Sequence, residues 1–314
     1  MKMTLDWEQY KAKAAKMVAE GVVLLRNDHE VLPLKKGQNV AVFGRIQFHY
    51  YKSGTGSGGM VNVPETITIP EGLRSCDIPV DEELEAVYRD WDEKNPFELG
   101  SGWGEEPWGQ EEMPLEDEIV RSAASRTDTA IVIIGRTAGE EQDNSLQEGS
   151  YLLTQKEKQM LSQVREAFPK MIVLLNVGNI MDMNFFADCQ PDSLLYVWQG
   201  GMMGGLGTAQ VLAGVVSPSG KLPDTIAYEV ADYPSDQNFG GKNGNCYGED
   251  IYVGYRYFET FARERVLYPF GYGLSYTTFD IQTTLVQEGR EHLEFHVQVT
   301  NTGAYAGKEV VQIY

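Results

Sequence analysis

The sequence predicts an α/β fold: a mostly parallel sheet with helices on both faces, an α/β sandwich, followed by an incomplete antiparallel β-sandwich segment. Two patterns carry this. Up to about residue 230, short and almost wholly apolar runs alternate with longer amphipathic stretches. From residue 276 onward, apolar and polar residues alternate with period two. The implied boundaries are 1–230 for the α/β domain, 231–275 for an extended connecting segment and 276–314 for the incomplete sandwich.

The elements follow in order. Trp7, Tyr10, Ala14, Met17 and Val18 recur at helical spacing over residues 5–20, and Gly21 is expected to end that helix. "VVLLRN" (22–27) and "NVAVFG" (39–44) are apolar runs bounded by turn residues, as buried strands are. "DEELEAVYRDWDEK" (81–94) and "LEDEIVRSAASR" (115–126) read as amphipathic helices, and "TAIVIIG" (129–135) as the next strand. Thr154 and Glu157 form a capping box that opens a further helix. "KMIVLLNVG" (170–178) and "DSLLYVWQGG" (192–201) complete the strands, and a helix follows from Met203 to Leu212. In such sheets ligands bind beyond the carboxyl ends of the strands. That singles out the loops at 45–60, 136–150, 176–184 and 198–207. The closing stretch "LEFHVQVTNTGAYAGKEVVQIY" alternates around a turn at Asn301-Thr302-Gly303. A complete sandwich of that kind needs roughly 100 residues, so this one is expected to be truncated.

Composition narrows the function classes. A net charge of −20 opposes nucleic acid and anionic membranes as partners and suits a neutral or cationic ligand. An acidic field also favours protonated carboxyl groups. Cys76, Cys189 and Cys246 form no C-x-x-C pair and read as free thiols of a reducing compartment. The first residues lack the apolar stretch of a signal peptide, which predicts a cytoplasmic protein.

Four stretches compete for chemistry. "SGTGSGG" (53–59) places Gly54, Gly56 and Gly59 at dinucleotide-loop spacing, but "RIQFHYYK" separates it from the preceding strand and no P-loop lysine follows. A nucleotide site is therefore not expected; a loop that lets backbone and Ser57 approach a ligand is. His292 and His296 would stand about 13 Å apart in an extended strand, too far to share a metal ion. "GEEQDN" (139–144) delivers Glu140, Glu141 and Asp143 to the end of a central strand. Crowded carboxyls there would have the raised pKa of a general acid. "NPFELGSGWGEEPWGQEEMP" (95–114) is long for a connection, and reads as a surface excursion, a sugar-stacking wall around Trp103 and Trp108, or a domain-docking surface.

"AEGVVLLRNDHEVLPL", "KSGTGSGG", "IVIIGRTAGEEQDN", "SPSGKLPDTI", "EDIYVGYRYFET", "YPFGYGLSYTTF" and "VTNTGAYAGKEVVQIY" together resemble glycoside hydrolase family 3. They occur in that family's order and cover nearly the whole chain. The resemblance implies a six-stranded α/β sandwich domain that supplies an acid/base glutamate, then the start of a fibronectin-III-like domain. The aspartate nucleophile would lie on a TIM-like barrel, expected downstream as in the permuted subgroup. Glu140 matches the acid/base position of the G-E-x-x-D loop, Asp143 its aspartate, and Glu141 is the rival. Ser57 matches the serine that approaches the sugar. The implied activity is that of a retaining, exo-acting β-glucosidase on small oligosaccharides or aryl and alkyl β-glycosides, with no cofactor. Alternatives are a β-xylosidase or arabinosidase, or a non-catalytic carbohydrate-binding module. Without the barrel, the chain alone is expected to be inactive.

Overall fold

The computed structural model describes residues 5–59, 62–140 and 143–313. Among the described residues its core is a sheet of five strands, one fewer than the resemblance implies, in the order Val23–Asn27 (β1), Ser193–Tyr196 (β5), Lys170–Val177 (β4), Thr129–Arg136 (β3) and Ala41–Phe43 (β2). Helix α1 (Trp7–Gly21) opens the chain, capped by the Asp6 side chain on the Gln9 amide. It includes Gly21 and ends one residue later than its sequence suggests. Strand β1 (Val23–Asn27) follows and runs antiparallel to β5 (Ser193–Tyr196) at the sheet edge. The other strands, β2 (Ala41–Phe43), β3 (Thr129–Arg136), β4 (Lys170–Val177) and β5, are mutually parallel. All the apolar runs expected to be sheet strands are in place.

Alternation along each strand divides the core in two. Ala130, Val132 and Ile134 of β3 point to one face, where α3 (Glu82–Lys94), α4 (Asp117–Ala124), α5 (Gln155–Ala167) and α6 (Asn184–Cys189) cover them. Ile131 and Ile133 point to the other, against α1, α2 (Ile69–Ser75) and α7 (Gly204–Leu212). Each fully buried valine or isoleucine among these stabilises the fold by roughly 1.5–3 kcal/mol. The Thr154–Glu157 capping box forms at α5 as expected. Helices α2, α6 and α8 (Tyr255–Phe261) were not legible from apolar periodicity, since each spans about two turns or fewer.

The segment 231–275, expected to be extended, holds α8 and strand β7 (Val266–Tyr268), which pairs with β6 (Ile226–Ala227). Ala227, Phe258 and Ala262 form a small core there. Beyond it, β8 (Phe279–Glu288) and β9 (Leu293–Asn301) make an antiparallel hairpin. Among the described residues this hairpin gains no third strand, and most of its apolar side chains, Leu285 and Leu293 among them, are exposed, with Phe279 and Phe295 half-buried. Residues 306–313, expected to continue the alternation as a strand, form none; the Lys221–Glu309 ion pair and a Ser217 hydroxyl bond to the Ala306 carbonyl tie them to the domain instead. His292 lies in the hairpin turn before β9 and not within the strand; His296 is in β9, and both are exposed.

Candidate active site

The loops at the carboxyl ends of the parallel strands meet one another, and a buried asparagine holds several of them. Asn176, near the end of β4, accepts from the Tyr51 amide (2.8 Å) and donates to the carbonyls of Tyr51 (3.0 Å) and Trp198 (2.6 Å). Gln199 donates to the Arg136 carbonyl (3.2 Å), and Asn144 to that of Ile180 (3.1 Å). Trp198 takes a left-handed conformation (φ 55°), which costs a bulky residue energy and is held by its indole N–H on the Gly21 carbonyl.

At the centre of this edge, the glycine-rich loop and the acidic loop interlock. The Thr55 amide donates to the Ala138 carbonyl (2.6 Å), and Thr55 and Gly139 form a β-bridge. The two chains pass so closely that a Cβ on Gly54 would stand 2.0 Å from the Ala138 oxygen, and one on Gly139 2.5 Å from the Thr55 oxygen. Both glycines permit a close backbone approach; for Gly54 that role was expected toward a ligand, and its partner here is the acidic loop.

That approach delivers Glu140 to Ser57. The Ser57 hydroxyl donates to Glu140 Oε1 (2.6 Å) and the Ser57 amide to Oε2 (3.0 Å). Gly56 leaves room for the carboxylate, because a Cβ there would lie 2.6 Å from Glu140 Cβ. Glu140 itself is exposed. The sequence suggested a raised pKa from crowded acids. The structure reverses this: the Ser57 hydroxyl, then the Ser57 amide, hold the Glu140 carboxyl below its ordinary value. Ser57→Ala removes the stronger donor, so the Glu140 carboxyl will titrate at higher pH in the variant, as read by carboxyl-carbon NMR. Coincident titration curves would exclude the Ser57 hydroxyl as a cause. Asp143 is exposed, and Glu141 lies outside the described residues.

The 95–114 excursion braces both loops. The Thr137 amide donates to the Trp108 carbonyl (2.8 Å), and Gly109 lies against Gly149 and the Arg136 guanidinium. At its other end Glu112 is buried and accepts from the Arg45 amide (3.1 Å) and the Met113 amide (2.8 Å). The Arg45 guanidinium donates to Asp92 (2.8 Å) and lies over the Trp91 ring. Trp103 remains exposed. Asn176, Arg136 and Glu112 were not singled out from sequence, yet they position the two loops that meet.

Residues 22–276 match the glycosyl hydrolase family 3 C-terminal domain. The chain belongs to glycoside hydrolase family 3. Among its family 3 relatives, the β-glucosidase of Ruminococcus albus is 58% identical over 99% of this chain, which covers 32% of that enzyme. A crystallised β-glucosidase from Paenibacillus barengoltzii superposes with a TM-score of 0.91 at 50% identity, over 97% of this chain and 34% of its own. β-Glucosidase 3B from Thermotoga neapolitana, solved with glucose, gives a TM-score of 0.85 at 34% identity, over 96% of this chain and 43% of its own. The family 3 chain described here thus spans about a third of the length of the R. albus enzyme.

Proposed function

We propose that this chain supplies the general acid/base of a retaining, exo-acting β-glucosidase, with Glu140 as that residue. The observation that carries the reading is the Ser57–Glu140 contact. Two loops from different strands are threaded through glycines so that one carboxylate stands, held by two donors, at the open carboxyl edge of the sheet. A retaining glycosidase uses two carboxyls about 5–5.5 Å apart: one attacks the anomeric carbon, the other protonates the leaving oxygen and later deprotonates the attacking water. Glu140 takes the second role. The nucleophile would be an aspartate on a barrel domain outside these residues, so the purified chain alone hydrolyses no glycoside. The names of the relatives, and the glucose bound by the T. neapolitana enzyme, favour a glucoside over a xyloside or arabinoside.

The test is a graft. This chain replaces the matching segment of the R. albus enzyme, and the graft and the isolated chain are assayed on aryl β-glucosides and β-xylosides. Glucosidase activity in the graft and none in the isolated chain is the expected result. Turnover by the isolated chain that vanishes in Glu140→Ala would show a complete site within these residues and end the split-site reading.

A further inference from the structure

We propose that Arg136 is a positioning residue for Glu140: one guanidinium clasps both ends of the loop that carries the carboxylate. This rests on the acid/base reading of Glu140. Arg136 closes a strand whose every residue is buried, and is itself 1% exposed. An unpaired cation there would be very costly. It is fully engaged instead. Nη1 and Nη2 make a two-pronged contact with Glu157 (2.6 and 2.7 Å). Nε donates to the Ser150 carbonyl (3.0 Å), Nη1 also to that of Gly135 (2.8 Å), and Nη2 to that of Leu152 (3.3 Å).

The placement of these acceptors gives the side chain its role. The acidic loop leaves the sheet at Arg136 and returns at Ser150 and Leu152, so its first and last residues are joined through one planar group. Glu157 is also the third residue of α5 and accepts from the Thr154 amide (2.8 Å), which fixes the start of that helix to the same cluster. The Arg136 carbonyl is held from the other side by Gln199. Closing the loop at its base removes conformations in which Glu140, four residues past Arg136, swings away from Ser57. A lysine cannot reproduce this, because a point charge lacks the fork that spans a carboxylate and two carbonyls.

Two variants test it: Arg136→Lys, and the double variant Arg136→Met with Glu157→Leu, which leaves neither buried charge alone. Each is made in the full chain and in the R. albus graft. Thermal unfolding followed by circular dichroism establishes folding. In the folded chain, Glu140 will lose its contact with Ser57, and its carboxyl-carbon titration will move to higher pH, a readout independent of catalysis. In the graft, kcat for alkyl glucosides will fall on the order of 10²-fold with KM little changed, and activated aryl glucosides will be affected much less. A folded variant whose Glu140 titration stays at the parent position overturns the proposal. So does failure of both variants to fold, which makes the cluster a requirement of the fold and not a device for the loop. A titration that moves while the leaving-group dependence stays constant supports the clasp and sinks the acid/base reading of Glu140 instead.

Discussion

In the grafted enzyme, Glu140→Ala will slow hydrolysis of alkyl β-glucosides by about 10²–10⁴-fold, the usual contribution of general-acid assistance. Activated aryl glucosides will be cleaved with a much smaller loss in the bond-breaking step. An alkoxide departs poorly without a proton, whereas a nitrophenolate is stable as it leaves. The loss therefore scales with the basicity of the leaving group, which a general misfolding defect would not do. Glu141→Ala will do much less. Ser57 donates both its hydroxyl and its amide to Glu140, and both bonds favour the anion. In the role proposed for Glu140, the anion is the state needed for the second step, when the residue takes a proton from water. The first step needs the protonated form, which burial or a neighbouring carboxylate in an assembled site would favour. Leaving-group dependence found in the Glu141 variant and missing from the Glu140 variant would reverse the assignment.

The parts of this arrangement that sequence made legible share a physical cause. Five strands, four of them mutually parallel, were readable because strands covered on both faces are apolar at nearly every position, as β3 and β4 are. Glu140 stood out because it lies in the loop that follows such a strand, and the roles proposed for it and for Ser57 came from the family resemblance. The supporting residues were harder to see. Arg136 and Asn176 are polar residues near the ends of otherwise apolar strands, and that break in pattern was a usable signal. Glu112 carried none: it stands in a run of acids, and nothing local says which of them turns inward. The pairing of the glycine loop with the acidic loop joins residues 83 apart in the chain, which no short motif encodes. β8 falls within the antiparallel segment expected over 276–314, but its bounds were not legible because it buries almost nothing.

The buried Glu112 leads to the second large effect, on stability against pH. Glu112→Gln will flatten the decline of the chain's stability between about pH 5 and about pH 8. Glu112 is 4% exposed, and burial pushes its carboxyl up from 4.5 to about 7 despite the Arg45 and Met113 amides that favour the anion. Arg45 does not neutralise it by a side-chain contact, because that guanidinium is engaged with Asp92 and the carbonyls of Asn95 and Glu111. The sign follows from proton counts. Below the unfolded pKa both states hold the proton and the group is neutral in the balance. Between the two values the folded state keeps a proton that the unfolded state has released, so stability falls as pH rises. Above the folded value the full cost is present, roughly 3 kcal/mol for a shift of this size. Most of it falls between about pH 5 and about pH 8. The amide has no such ionisation, and its oxygen can still accept from the Arg45 and Met113 amides. Urea unfolding of the parent and the variant at the two pH values reads the difference directly. Parallel pH profiles would mean that Glu112 is ionised throughout, stabilised by its amide donors. The cost also has an address: Glu112 anchors the 95–114 brace to Arg45, at the head of the segment that leads to Ser57.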